Sequence, residues 1–181
     1  MAQAFPDIPE PVPGSEPLLE AMAGCNQRLL HHCAAMRRLA LYVGECGFDG
    51  QAGAATASLL QFFDHVLPLH HADQQLGLFP ALMESMAGSD AACLRDLTQA
   101  AVQQQHELWR LWLRLRPALL DLASGRADAL PVHAIERFIE HCKAGVDRED
   151  GELLPMARRL LADAELERLG AAMRQRRARP T

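Results

Sequence analysis

The stretch HHADQQLGLFPAL (residues 70–82) sets His70 and Gln74 four positions apart, with Leu78 one turn further on and Pro80 beyond. Residues four apart share a helix face, and a histidine followed at that distance by a carboxylate can chelate from one helix. Here the second position is an amide. A shift of 75 residues lays a second copy over the first: Phe63 meets Phe138, Gln74 meets Glu149, and LFPAL (78–82) meets LLPMA (153–157). Each copy puts a polar residue four positions ahead of an apolar-apolar-Pro triplet. Two halves related by a pseudo-two-fold axis would therefore bring Gln74 and Glu149 face to face.

Working outward, the apolar periodicity is helical almost throughout. Met22, Leu29, Cys33, Met36, Ala40 and Val43 form a seven-residue seam that ends at the turn GECGFDGQAG (residues 44–53). A second helix is expected over about 54–86, bent at Pro68 and Pro80, and a third over about 89–123 with Ser89 as N-cap. Pro131 suits the first turn of a fourth helix reaching about 161, and Asp163 can cap a short fifth that ends before Pro180. Ala and Leu dominate, while aromatic residues make up 5% of the chain. The fold expected is all-α: an up-down-up-down four-helix bundle (18–162), preceded by a Pro-rich arm (1–17) and followed by a short C-terminal helix with a basic tail (163–181).

Each seam also carries a polar residue at a similar depth. These are Asn26 between Met22 and Leu29, His70 and Gln74 after Leu67, His106 among Val102, Trp109 and Leu113, and Glu149 before Leu153. A buried carboxylate without a partner takes up a proton rather than stay charged. Two partners are open from spacing alone. One is a metal ion shared by Glu149 and two imidazoles; the other is a closed hydrogen-bonded network in which Asn26, Gln74 and His106 satisfy Glu149.

Composition narrows the function. A net charge of −5 argues against nucleic acid as a partner, and no run is long enough for a membrane span. The start MAQAFPDIPEPVPG lacks a basic segment followed by an apolar one, so the expected location is the cytoplasm. Cys25, Cys33, Cys46, Cys93 and Cys142 form no CxxC pair, which fits reduced thiols. The tail RQRRARPT (174–181) reads as a solvated helix end. No nucleophile, cofactor motif or substrate pocket is recognisable, so binding is favoured over catalysis.

The segments CNQRLLHHCAAMRRLA (25–40), FFDHVLPLHHADQQLGLFPALMESMAGSD (62–90), QHELWRLWLRLRPAL (105–119) and EDGELLPMARRLL (149–161) resemble the bacterial hemerythrin-like, HHE cation-binding domains. That resemblance implies a four-helix bundle around a non-haem di-iron centre. Its ligands are a first-helix His after a Cys, a His-x-x-x-Glu pair on the second helix, a third-helix His, and a second His-x-x-x-Glu pair on the fourth. Matched position by position, His70, His106 and Glu149 keep ligand character, whereas Asn26, Gln74 and Gly145 replace two histidines and a glutamate.

A diferric oxo-bridged centre carries about four positive charges, and with Gln74 in place of a carboxylate it would be under-neutralised, so it is not expected. One divalent ion, Fe2+ or Zn2+, suits two imidazoles and one carboxylate. Gly145 would leave room beside it for water or a small ligand. His71, about 100° around the helix from His70, is expected to flank the ligands, and His141, one turn before Gly145, is a candidate substitute ligand. The implied function is binding or sensing of a small molecule such as O2 or NO; the alternative is a metal-free scaffold for protein interaction.

Overall fold

Helix α1 (Leu18–Cys46) begins after Pro17, whose carbonyl accepts from Ala21, and stops where Gly47 turns to φ +79 and returns its N–H to Val43. The next helix starts earlier than the sequence suggested, at Gly50 rather than near 54, because the Asp49 carboxylate caps it through the N–H groups of Gln51 and Ala52. The computed structural model describes residues 17–85 and 90–178. The Pro-rich arm up to residue 16, the helix end at Met86, the Ser89 cap and Pro180 lie outside them.

Helix α2 spans residues 50–84, and its prolines do not break it. It is built of α segments Gly50–Gln61, Leu67–Asp73 and Phe79–Glu84 joined by π turns at Phe62–Val66 and Gln74–Leu78. Each π turn closes one residue before a proline: Leu67 N–H bonds to Phe62 O ahead of Pro68, and Phe79 N–H to Gln74 O ahead of Pro80. A proline ring clashes with the carbonyl four residues back, and the wider turn displaces that carbonyl. Helix α4 (residues 132–160) repeats the device, with Leu154 N–H on Glu149 O ahead of Pro155. The internal repeat is thus a repeat of backbone as well as sequence, and both Gln74 and Glu149 open a π turn.

Helix α3 (Asp90–Ala123) and α5 (Asp163–Arg177) complete five helices among the described residues, which hold no strand. Helix α1 packs on α2 and α4, and α3 packs on α2 and α4, so the four long helices enclose one interior. Asp163 is the first helical residue of α5 and not its cap; Ala162 holds that place with no side-chain bond. Leu169 and Met173 of α5 join Leu18, Met22, Leu78, Leu82 and Leu153 in one apolar cluster. A second cluster gathers Leu29, Met36, Phe63, Leu67, Leu108, Trp112, Phe138 and Val146. Between them the chain crosses a polar layer: after Met22 in α1, Leu67 in α2, Ala101 in α3 and Val146 in α4.

One expectation changes here. The basic tail is not simply solvated: Arg176 Nε lies 2.8 Å from Asp73 Oδ1 and Arg177 Nη2 2.9 Å from Asp73 Oδ2, while Asp73 is 1% exposed. These bonds clamp α5 onto α2 next to Gln74. His32 is also part of the interior. It is buried, stacks on Phe62 with ring centroids 3.9 Å apart, and donates from Nδ1 to Arg28 O at 2.7 Å.

Asp73→Asn leaves both guanidinium groups without their counter-charge. Because they are partly solvated, the expected loss is about 2 kcal/mol, or about 4–8 °C in the thermal midpoint. Burial pushes the His32 pKa down, opposed by its hydrogen bond to the Arg28 carbonyl and helped by the charges of His31 and Arg28. A base with a depressed folded pKa contributes stability above its unfolded pKa of about 6.5 and loses it as pH falls below that value. Urea titrations of His32→Phe between pH 7 and 5 should therefore show a shallower loss of stability than the parent.

Candidate metal centre

The polar layer is centred on His70, whose side chain is 2% exposed and whose Nε2 lies 3.3 Å from Glu149 Oε1. The Gln74 amide nitrogen stands 3.0 Å from the same Nε2. Gln74 Oε1 accepts from Gln105 Nε2, and Gln105 Oε1 accepts from Gln75 Nε2 at 2.7 Å. Three glutamines from two helices therefore form a chain of amide bonds that ends on the imidazole. In this order His70 Nε2 accepts from Gln74, so its lone pair also faces the carboxylate. Turning every amide over lets Nε2–H donate instead. In the first order a proton or a metal ion is what reconciles Nε2 with Glu149; in the second the Nε2–H itself faces the carboxylate.

Glu149 Oε1 is buried and has no hydrogen-bond partner among the described residues. An unpaired buried acceptor costs about 1–3 kcal/mol, more when charged, so this atom marks where the layer is incomplete. Burial acts against a charged His70, yet the negative charges of Cys25 and Glu149 raise its pKa well above the ordinary imidazole range. Cys25 is held below the usual thiol value by the reverse attraction, despite burial.

The structure brings together His70, Gln74 and Glu149, with Asn26 on the wall of the same cavity. Asn26 turns its Nδ2 to Asp150 Oδ1 at 2.7 Å, so it does not satisfy Glu149. His106 is not brought in. It is exposed, and Gln105 takes the inward place because α3 buries Ala101, Gln105, Leu108, Trp112 and Leu115, one position earlier than the expected seam through Val102, His106, Trp109 and Leu113. Trp109 and Leu113 are 42% and 49% exposed. The stretch LWRLWLRL offers apolar residues on two adjacent stripes, and only packing chooses between them.

Gly145 does not leave free space. A Cβ built there would lie 2.9 Å from Gln104 Nε2, so the Gln104 amide fills the gap, donating to His141 O at 3.2 Å. His141 lines the cavity, but its Nε2 donates to Gln104 O at 3.0 Å and is spent on that bond. His71 also lines it; burial and the charges of His70 and His106 push its pKa down to about 3. Arg148 completes the wall and donates to Gln104 Oε1. Sequence reasoning missed Gln104, Gln105 and Arg148. Glutamine at a core depth was the one available signal for the first two.

Residues 18–157 match the hemerythrin HHE cation-binding domain. The chain belongs to that family. It is also 29% identical over 167 residues, covering 90% of this chain and 91% of the other, to an uncharacterized protein of Haemophilus influenzae. Membership implies a metal cation, and the hemerythrin-like layer must be tested against one. Among the described residues no group of three or more His, Cys, Asp or Glu side chains is arranged to hold a metal ion. One carboxylate, neutral amides and the Arg148 cation around His70, with His141 spent on Gln104, offer too little negative charge to fit two metals. They do fit the bite of one: ligands at a tetrahedral zinc, at ~2.1 Å, sit ~3.4 Å apart. The His70 Nε2–Glu149 Oε1 separation of 3.3 Å agrees.

Gln105→Ala should cost about 1–2 kcal/mol in urea unfolding, since it strands the Gln74 oxygen and the Gln75 amide. His106→Ala should stay within about 0.5 kcal/mol of the parent.

Proposed function

We propose that this hemerythrin-like domain, its four long helices running up-down-up-down, is a binding protein with a reduced interior site. That site takes at most one divalent cation, Fe2+ or Zn2+, between His70 Nε2 and Glu149 Oε1. The observation that carries the proposal is the buried, unpartnered Glu149 Oε1 at 3.3 Å from the imidazole nitrogen. A bound ion would supply a Lewis-acidic position open to a small ligand such as O2 or NO.

The rest of the work falls to the chain itself. Gln74, with its amide reversed, presents Oε1 to the same place, and Gln105 then holds it there as acceptor instead of donor. Leu67, Leu108 and Leu153 close the cavity walls, and its volume of about 40 Å³ admits water or a diatomic molecule but no organic substrate. Arg148 and the Gln104 amide give one wall positive character. Among the described residues Glu149 holds the only carboxylate on those walls, so a second metal would lack a counter-charge there.

A second reading is a metal-free scaffold. It is favoured by the amide chain from Gln75 through Gln105 and Gln74 to His70, which satisfies most of the layer without an ion. Protein loaded anaerobically with Fe2+, and separately with Zn2+, separates the two by metal content per chain. The expected ratio is at most one, falling to background in His70→Ala and Glu149→Gln and unchanged in His106→Ala. Two ions per chain would overturn the proposal, and none in the parent protein would leave the scaffold.

A further inference from the structure

A larger cavity, of about 240 Å³, lies between α2 and α3 beside the polar layer. Leu67, His71, Gln105 and Leu108 line both cavities and form the wall between them. The inner cavity is water-sized, whereas an apolar cavity of about 150 Å³ in another protein suffices for benzene. The outer one thus has room for a ring and a substituent.

Its walls state the chemistry of the occupant. Phe63 and Trp112 form a rigid aromatic corner, their ring centroids 4.8 Å apart, and the indole N–H is fixed on Asp64 Oδ1 at 2.8 Å. Trp109 stands at the same cavity, half out in solvent at 42% exposed. Polar groups also reach it: Gln75 and Gln105, hydrogen-bonded to one another, and the exposed His106. Among the described residues no Asp, Glu, Lys or Arg lines it. Aromatic faces attract planar rings, and a few convergent polar groups on an otherwise apolar wall fix orientation rather than supply charge.

We propose that this cavity binds an uncharged planar aromatic molecule bearing one hydrogen-bonding group, of the phenol or indole class, with its ring against Phe63, Trp109 and Trp112 and its polar group on Gln75, Gln105 and His106. The site explains His106, which the interior layer does not use. It does not depend on the cation reading, because its walls are complete without an ion.

The chain's two tryptophans, Trp109 and Trp112, both line the cavity, so fluorescence excited at the indole edge reports its occupancy. Phenol is titrated into the full chain, with saturation-transfer NMR as a second readout and cyclohexanol as a non-planar control of similar size. Phenol is expected to saturate with a dissociation constant of about 1 mM or tighter, well within the affinity available to seven heavy atoms. Ala72→Phe, which fills the cavity, should weaken it at least about tenfold, and Trp109→Ala, on the exposed wall, about fivefold. Thermal melts identify any variant that fails to fold, and Trp109→Ala then decides alone. No saturable binding overturns the proposal. So does equal binding of cyclohexanol, or phenol affinity unchanged in the folded variants.

Discussion

The polar layer is organised around one inward-facing carboxylate oxygen, Glu149 Oε1. Glu149 sits between two apolar clusters, facing His70 across 3.3 Å, with one oxygen unpartnered. A carboxylate in that setting needs a positive neighbour, and the cavity wall supplies an imidazole and a guanidinium, with no second carboxylate among the described residues that line it. The hemerythrin HHE domain is kept, while among the described residues one carboxylate lines this cavity. Where a second carboxylate would stand, Gln74 contributes a dipole, and that dipole is itself held by Gln105.

The layer is costly, and the surrounding helices are built to hold it. The π turns place Gln74 and Glu149 at equivalent points of the internal repeat, each just ahead of a proline that prevents the helix from rewinding into α geometry. Asp73, next to Gln74, is clamped by Arg176 and Arg177 of α5. The C-terminal helix therefore fixes the outer side of the turn whose inner side carries the site. The site sits on backbone pinned from both faces, which suits a binding layer of fixed geometry.

Much of this was legible from residue spacing. The seams of α1, α2 and α4 are narrow, one apolar stripe each, and Met22, Asn26, His70, Gln74, Phe138 and Cys142 are buried as that pattern requires. Helix α3 was read one residue out of phase because Leu108–Trp112–Leu115 and Trp109–Leu113 both resemble a buried stripe; the choice is made by Trp112, whose indole reaches Asp64 and whose ring packs on Phe63. That single step exchanges His106 for Gln105 in the layer. The role of Arg176 and Arg177 was not legible, since their partner Asp73 lies over a hundred residues away in sequence. Gly145 was misread for a similar reason: what fills its space is the side chain of Gln104, on another helix.

How many irons the layer can hold decides what kind of site it is. Mössbauer spectroscopy of the protein loaded anaerobically with iron-57 and then exposed to air counts them by their magnetic coupling. The account predicts either no protein-bound iron or one magnetically isolated site per chain. A diamagnetic doublet from two coupled ferric ions, accounting for most of the bound iron, would contradict it.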